Sequence, residues 1–226
     1  SEAIRLNPHH PIPYFYRGYA WAAKAKYDAA VKDYSEAIRL NPKYIDAYGQ
    51  RGEVWARKGD YDAAIEDLTE AIRLNPKFAD AYGNRGAVWA QKGDYDAAIE
   101  DLTEAIRFDP KHLKAYINRG IVFERKCHYA AAIKDYSQCI QLDPKSADSH
   151  NALAWVYATC PEANFRDGKR AVDLATKCCE LSDGKAWGYV DTRAAACAES
   201  GDWENAVKYE EQAIELAKDE ENKQKA

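Results

Sequence analysis

A period of 34 residues constrains this chain more than any other feature. One stretch, from Ile45 to Phe78, reads IDAYGQRGEVWARKGDYDAAIEDLTEAIRLNPKF. The next, from Ala79 to His112, reads ADAYGNRGAVWAQKGDYDAAIEDLTEAIRFDPKH, and 27 of the 34 positions are identical. The register runs further in both directions, because Pro42, Pro76, Pro110 and Pro144 follow at the same spacing. Such self-similarity marks a repeat array, in which each unit buries its apolar face against its neighbours. The 226 residues hold between six and seven such lengths, so one elongated array is expected.

Each unit reads as two helices. Ala47, Tyr48, Arg51, Gly52, Val54 and Trp55 fall at helical spacing on one face. Lys58-Gly59-Asp60 breaks the pattern, with Gly59 suited to the turn and Asp60 to capping the next helix. Ala63, Ala64, Ile65, Leu68, Ala71 and Ile72 form the second run, which stops at Asn75-Pro76. Proline lacks an amide and its ring clashes with the preceding turn. Connections of a few residues make neighbouring helices antiparallel.

The units are expected at 11–44, 45–78, 79–112 and 113–146. Residues 1–10 are read as the end of a second helix, since SEAIRLNP repeats Ser35 to Pro42; the sequence is expected to begin inside a longer array. An irregular unit follows at 147–185, with a loop inserted at Thr159 to Asn164 and a second helix resuming near Asp167. A capping unit at 186–218 uses Val190, Ala194, Cys197, Gly201, Trp203, Ala206 and Ala213. A charged tail, 219–226, is expected to be solvated and frayed.

In four units an aromatic, a glycine, a second aromatic, an alanine and a proline recur in phase. They are Tyr14, Gly18, Trp21, Ala30 and Pro42; Tyr48, Gly52, Trp55, Ala64 and Pro76; Tyr82, Gly86, Trp89, Ala98 and Pro110; and Tyr116, Gly120, Phe123, Ala132 and Pro144. This pattern resembles the tetratricopeptide repeat family over nearly the whole chain. The resemblance implies an all-α fold, an α-solenoid of antiparallel helix pairs wound into a right-handed superhelix. A glycine inside a helix costs about 1 kcal/mol relative to alanine, so its recurrence points to a close helix approach. Ala30, Ala64, Ala98 and Ala132 are the expected facing residues, and Tyr14, Trp21 and Tyr27 with their counterparts are read as core.

The resemblance also implies a concave groove lined by the first helix of each unit, where family members hold extended peptides or partner segments. In this sequence the groove positions fall on Phe15 and Tyr19, with Ile12, in the first full unit. They fall on Asp46, Gln50, Glu53 and Arg57, with Gly49, in the second, and on Asp80, Asn84 and Gln91, with Gly83 and Ala87, in the third. The fourth contributes Lys114, Ile117, Asn118, Ile121 and Arg125, with Glu124, and the fifth Asn151 and Trp155, with Asp148. The first end is apolar, the middle small and mixed in charge, and an apolar patch of Ile117, Ile121 and Trp155 is flanked by Lys114 and Arg125. Three of the seven differences between the near-copies fall on these positions, at Gln50/Asn84, Glu53/Ala87 and Arg57/Gln91, whereas Gly59 to Arg73 are unchanged. Specificity is therefore expected at the two ends, with the near-copies as structural template.

Family members that clamp the carboxylate tails of chaperones need cations in this groove. Phe15, Gly49, Gly83 and Ile117 stand at the first clamp position and Tyr19, Glu53, Ala87 and Ile121 at the second, so a chaperone-tail carboxylate clamp is not expected. The partner class is a protein or peptide, and self-association as an architectural module of a larger, possibly catalytic, protein is the alternative. A formal charge of -5 argues against nucleic acid, which favours a basic stripe. No apolar run approaches the ~20 residues of a membrane span, and no signal peptide is visible.

Catalysis has little support. His9, His10, His112 and His128 lack metal-binding or triad spacing, and Cys127-His128 reads as a variant of the Gly-Asp turn. No metal, cofactor or enzymatic activity is expected. The six cysteines show no CxxC pair and are read as reduced core thiols. Finally, Arg17, Arg51, Arg85 and Arg119 each precede an aspartate, Asp33, Asp67, Asp101 or Asp135, by 16 residues. In the fifth unit both positions become leucine, Leu153 and Leu174. An interhelical ion pair, worth about 0–1 kcal/mol if exposed, is expected to give way there to an apolar contact.

Overall fold

The computed structural model describes residues 2–184 and 186–225; the ends of the expected segments at Ser1, Lys185 and Ala226 lie outside the described residues. The described chain is all-α. In order, the helices are α1 (Glu2–Leu6), α2 (Pro11–Ala23), α3 (Tyr27–Leu40), α4 (Ile45–Lys58), α5 (Tyr61–Leu74), α6 (Ala79–Lys92) and α7 (Tyr95–Phe108). They continue as α8 (Leu113–Arg125), α9 (Tyr129–Leu142), α10 (Ala147–Thr159), α11 (Gly168–Leu181), α12 (Trp187–Glu199) and α13 (Trp203–Lys225). The chain divides into two compact units, one ending at Ala115 and the other starting at Tyr116.

Local chemistry sets the helix ends. Gly59 and Gly93 adopt φ of 81° and 86° after α4 and α6, a left-handed conformation that glycine reaches without a Cβ clash. Asp60 and Asp94 then accept hydrogen bonds from the Ala63 and Ala97 amides at 3.2 and 3.1 Å, satisfying donors of the next helix. Ala25 and Cys127 take the same turn with φ of 54° and 59°. The stop before each proline has a second cause that the proline alone did not suggest. Asn41 and Asn75 accept from the Lys43 and Lys77 amides, both at 3.1 Å, and Asp109 and Asp143 from Lys111 and Lys145, both at 3.0 Å. The side chain thus closes a turn around the proline.

In the first unit α2 packs on α3, α4 on α5 and α6 on α7, and each pair packs on the next. Ala64, Leu68, Ala71, Ala81 and Val88 form one buried cluster, and Ala30, Tyr34 and Val54 another. Tyr27 and Trp21 join it as half-buried residues. The close approach at the glycines differs in detail from the expected glycine-on-alanine contact. A Cβ on Gly52 would stand 2.8 Å from the Leu68 side chain and 3.2 Å from the Ala64 carbonyl. At the other three glycines Tyr34, Leu102 and Tyr136 take the place of Leu68. Alanine matters because it lets the second helix come near, and the large residue four positions later fills the space.

The Arg–Asp columns are bidentate pairs in all four units. Arg51 Nε and Nη2 donate to Asp67 at 2.7 and 2.6 Å, and Arg119 donates to Asp135 twice at 2.8 Å. The aspartates are buried, so the exposed-pair value does not apply. Burial pushes the Asp67 carboxyl up more than Arg51 draws it down. Arg51 Nη1 also reaches Ser35 at 2.8 Å and Arg85 Nη1 reaches Thr69 at 2.9 Å, so each guanidinium ties its own pair to the preceding one. Leu153 and Leu174 instead join one apolar cluster with Ala132 and Tyr136.

In the second unit α9, α10, α11, α12 and α13 pack in succession. The inserted loop forms a 3-10 turn at Ala163–Phe165, and Asp167 caps α11 by accepting from the Arg170 amide at 3.0 Å. Gly168 is needed for a close approach: a Cβ there would lie 2.6 Å from the Ser200 amide nitrogen. All six cysteines are free, but Cys127 is exposed in its turn and is not a core thiol. Burial pushes the Cys139 and Cys178 thiols up, to about 11 and about 12. α13 continues through the polar tail as far as Lys225, in keeping with its helix-forming lysines, glutamates and alanines. Trp203 is exposed rather than part of the core.

Candidate functional site

The first unit holds a cavity of about 460 Å³. Phe15, Tyr16 and Tyr19 from α2 line it. Asp46, Gly49, Gln50 and Glu53 from α4 and Asp80, Ala81 and Asn84 from α6 also line it. Phe78, His112 and Lys114 complete the lining. These side chains converge because helical spacing sets the first-helix positions of each unit on one face. The cavity draws on the near-copies as well as on the expected apolar end.

Nine of the sequence-derived positions meet here: Phe15, Tyr19, Asp46, Gly49, Gln50, Glu53, Asp80, Asn84 and Lys114. Arg57 stands beside them, donating to Glu53 at 2.6 Å. Gln91 is exposed in the last turn of α6 and does not line the cavity. Four lining residues were not among the expected positions: Tyr16, Phe78, Ala81 and His112. Tyr16 occupies the same repeat position as Gln50 and Asn84, so the period itself could have found it. Phe78 and His112 close their units, and theirs is one of the seven positions at which the near-copies differ.

The cavity carries three carboxylates and one ammonium. Tyr16 and Tyr19 are 65% and 57% exposed, and the Phe15 ring lies 5.0 Å from that of Tyr44. His112 Nδ1 accepts from the Ala115 amide at 3.2 Å, and its Nε2 lies 3.2 Å from Asp80 Oδ1. With Nδ1 an acceptor, the proton of the neutral ring is on Nε2, facing the carboxylate.

The second unit holds a separate cavity of about 430 Å³. Ile121, Arg125 and Trp155 line it, together with Glu124, Tyr129, Thr159, Cys160 and Pro161. The expected apolar patch is therefore there in part. Ile117, Asn118 and Asn151 are half-buried outside this lining, and Lys114 belongs to the first cavity. Glu124 replaces the alanine that earlier units carry, and Tyr136 donates its hydroxyl to Glu124 Oε1. Burial pushes the Glu124 carboxyl up, against the opposing effect of that hydrogen bond.

Family profiles described as tetratricopeptide repeat match residues 50–112, 113–146 and 194–224, and one described as TPR repeat matches 20–59. This chain is a tetratricopeptide repeat protein. No curated protein matches it in sequence. Among solved structures, PilF of Pseudomonas aeruginosa is 17% identical with a TM-score of 0.78, over 91% of each chain. MamA is 23% identical with a TM-score of 0.63, over 77% of this chain and 93% of its own. YrrB, described as a TPR protein with an unusual peptide-binding site, is 20% identical with a TM-score of 0.60, over 80% and 91%. At these identities the likeness is one of fold. Among the described residues no helix is long and apolar enough to cross a membrane, and no group of three or more metal-ligating side chains is assembled.

Proposed function

We propose that this repeat protein is an interaction scaffold that holds an extended segment of a partner protein on the first-helix side of its units. The observation that carries the reading is the cavity of the first unit. It gathers side chains from four successive first helices, brings exposed aromatic residues together with polar groups, and has the volume of a ligand site. The described peptide-binding site of YrrB, which shares the fold, supports the same use. A peptide array probed with the intact chain tests it. A Tyr19→Glu, Asn84→Arg double variant that keeps its helical circular dichroism should lose at least tenfold in affinity for the peptides captured. Unchanged capture would place the binding surface elsewhere and end the reading.

One observation favours a second reading, an architectural module that associates through its last helix. Trp203, Val207 and Ile214 on α13 are exposed, whereas Tyr61, Ile65 and Ile72 at the equivalent positions of α5 pack into an apolar cluster. Light scattering separates the readings. Under the second, a concentration-dependent oligomer is lost in a Trp203→Glu variant; a monomer at all concentrations removes it.

A further inference from the structure

We infer that the cavity of the first unit selects a basic side chain, a lysine or arginine carried by an extended partner peptide. The inference rests on the groove reading above and adds the chemistry of the occupant.

The charges around the cavity do not balance. Asp46, Glu53 and Asp80 line it against the single cation Lys114. Asp46 has no ion-pair partner among the described residues. Glu53 is already met by Arg57 at 2.6 Å, and Asp80 faces the Nε2 of His112 at 3.2 Å. Facing a neutral ring, Asp80 has no cationic partner either, so Asp46 and Asp80 are the carboxylates without a counter-charge among the described residues, in the same lining as the α2 aromatics. Tyr16 and Tyr19 expose ring surface there, and a ring face attracts a cation through its quadrupole. Carboxylates that share a cavity with exposed tyrosines accept an ammonium or guanidinium, whose alkyl stem can lie against the Phe15 or Phe78 ring of the same lining. The same lining disfavours a phosphorylated or acidic segment, which would add negative charge where three carboxylates already converge.

The second cavity supplies a contrast within the same chain. Its carboxylate, Glu124, is engaged by the Tyr136 hydroxyl and is matched in number by Arg125. It has no excess negative charge, so the preference is assigned to the first cavity alone.

The test uses the intact chain and fluorescence anisotropy. The probes are labelled, amidated decapeptides with one shared sequence of alanine, leucine and phenylalanine, carrying lysine, arginine, glutamine or glutamate at two central positions. Lysine and arginine peptides should bind at least tenfold tighter than the glutamine peptide, with the glutamate peptide weakest. The advantage should shrink to within threefold in an Asp46→Asn, Asp80→Asn variant, whose substitutions lie on exposed side chains. Equal binding of all four peptides overturns the basic preference and leaves the groove reading standing. A preference that survives the double variant also overturns it, since the net charge of the whole surface would then be responsible. If none of the four binds at millimolar concentration, the inference and the groove reading fall together.

Discussion

One substitution made at two equivalent positions gives a sharp test of how this array is held together. Tyr34 and Tyr136 occupy the same position in their units, and both are fully buried. Each ring lies against the glycine of its own first helix. They differ at the hydroxyl. Tyr136 donates to Glu124 Oε1, whereas the buried Tyr34 hydroxyl has no hydrogen-bond partner among the described residues. Position 22 holds alanine where the later unit has Glu124. Replacing Tyr136 by phenylalanine removes a bond to a charged acceptor, which costs roughly 1.5–3 kcal/mol. Replacing Tyr34 removes an unsatisfied donor whose burial costs about 1–3 kcal/mol, offset by the van der Waals packing of one oxygen atom. Tyr136→Phe should therefore destabilise by about 2 kcal/mol while Tyr34→Phe is neutral or stabilising by up to ~1 kcal/mol. Urea denaturation followed by circular dichroism reads the difference, and an unchanged slope shows that the midpoints report stability. An Ala22→Glu variant should give Tyr34 the acceptor it lacks, so that Tyr34→Phe becomes costly in that background. Equal losses from the two single substitutions would refute the reasoning, because the hydroxyls would then be energetically alike.

Three further outcomes are expected. Burial raises the folded-state pKa of Glu124, so its contribution to stability is fully present below its unfolded value, about 4.3, and is lost as pH rises through the higher folded value. Glu124→Gln should remove that decline, and a difference between variant and wild type that stays constant with pH in urea titrations would contradict the assignment. Asp67→Ala leaves the half-buried Arg51 without its bidentate partner and should cost about 3 kcal/mol in thermal or urea unfolding; a loss under about 1 kcal/mol would mean the pair behaves as an exposed one. Cys127→Gly and Ala25→Gly relieve left-handed backbone at φ of 59° and 54°. Each should stabilise by about 0.5–1 kcal/mol after the added chain entropy of glycine, and a fall in midpoint would show that those turns carry no strain.

Much of the fold was legible because its contacts are local and repeated. The pairing of Arg51 with Asp67 could be read from a column that recurs four times, and its replacement at Leu153 and Leu174 from the column's break. The turn at Cys127 was legible from the glycines at the same position. Burial was harder to read. The aspartates sit in the interior, which no spacing reveals, and the large residue at position 68 rather than the alanine at 64 meets the glycine most closely. At the candidate site, Tyr16 could be reached from the period, but Phe78 and His112 come from unit ends, where the chain changes direction and helical periodicity says nothing.

By itself, then, the amino-acid sequence determined the helical pairs, their capping, their antiparallel succession and the family, because each depends on residues a few positions apart or on one repeated unit. Only the tertiary structure decided which of the repeated side chains share a cavity, which hydroxyl finds an acceptor, and that the lining of the first cavity holds three carboxylates against one ammonium. Those properties depend on distances between residues from different units, and stacking alone sets those distances.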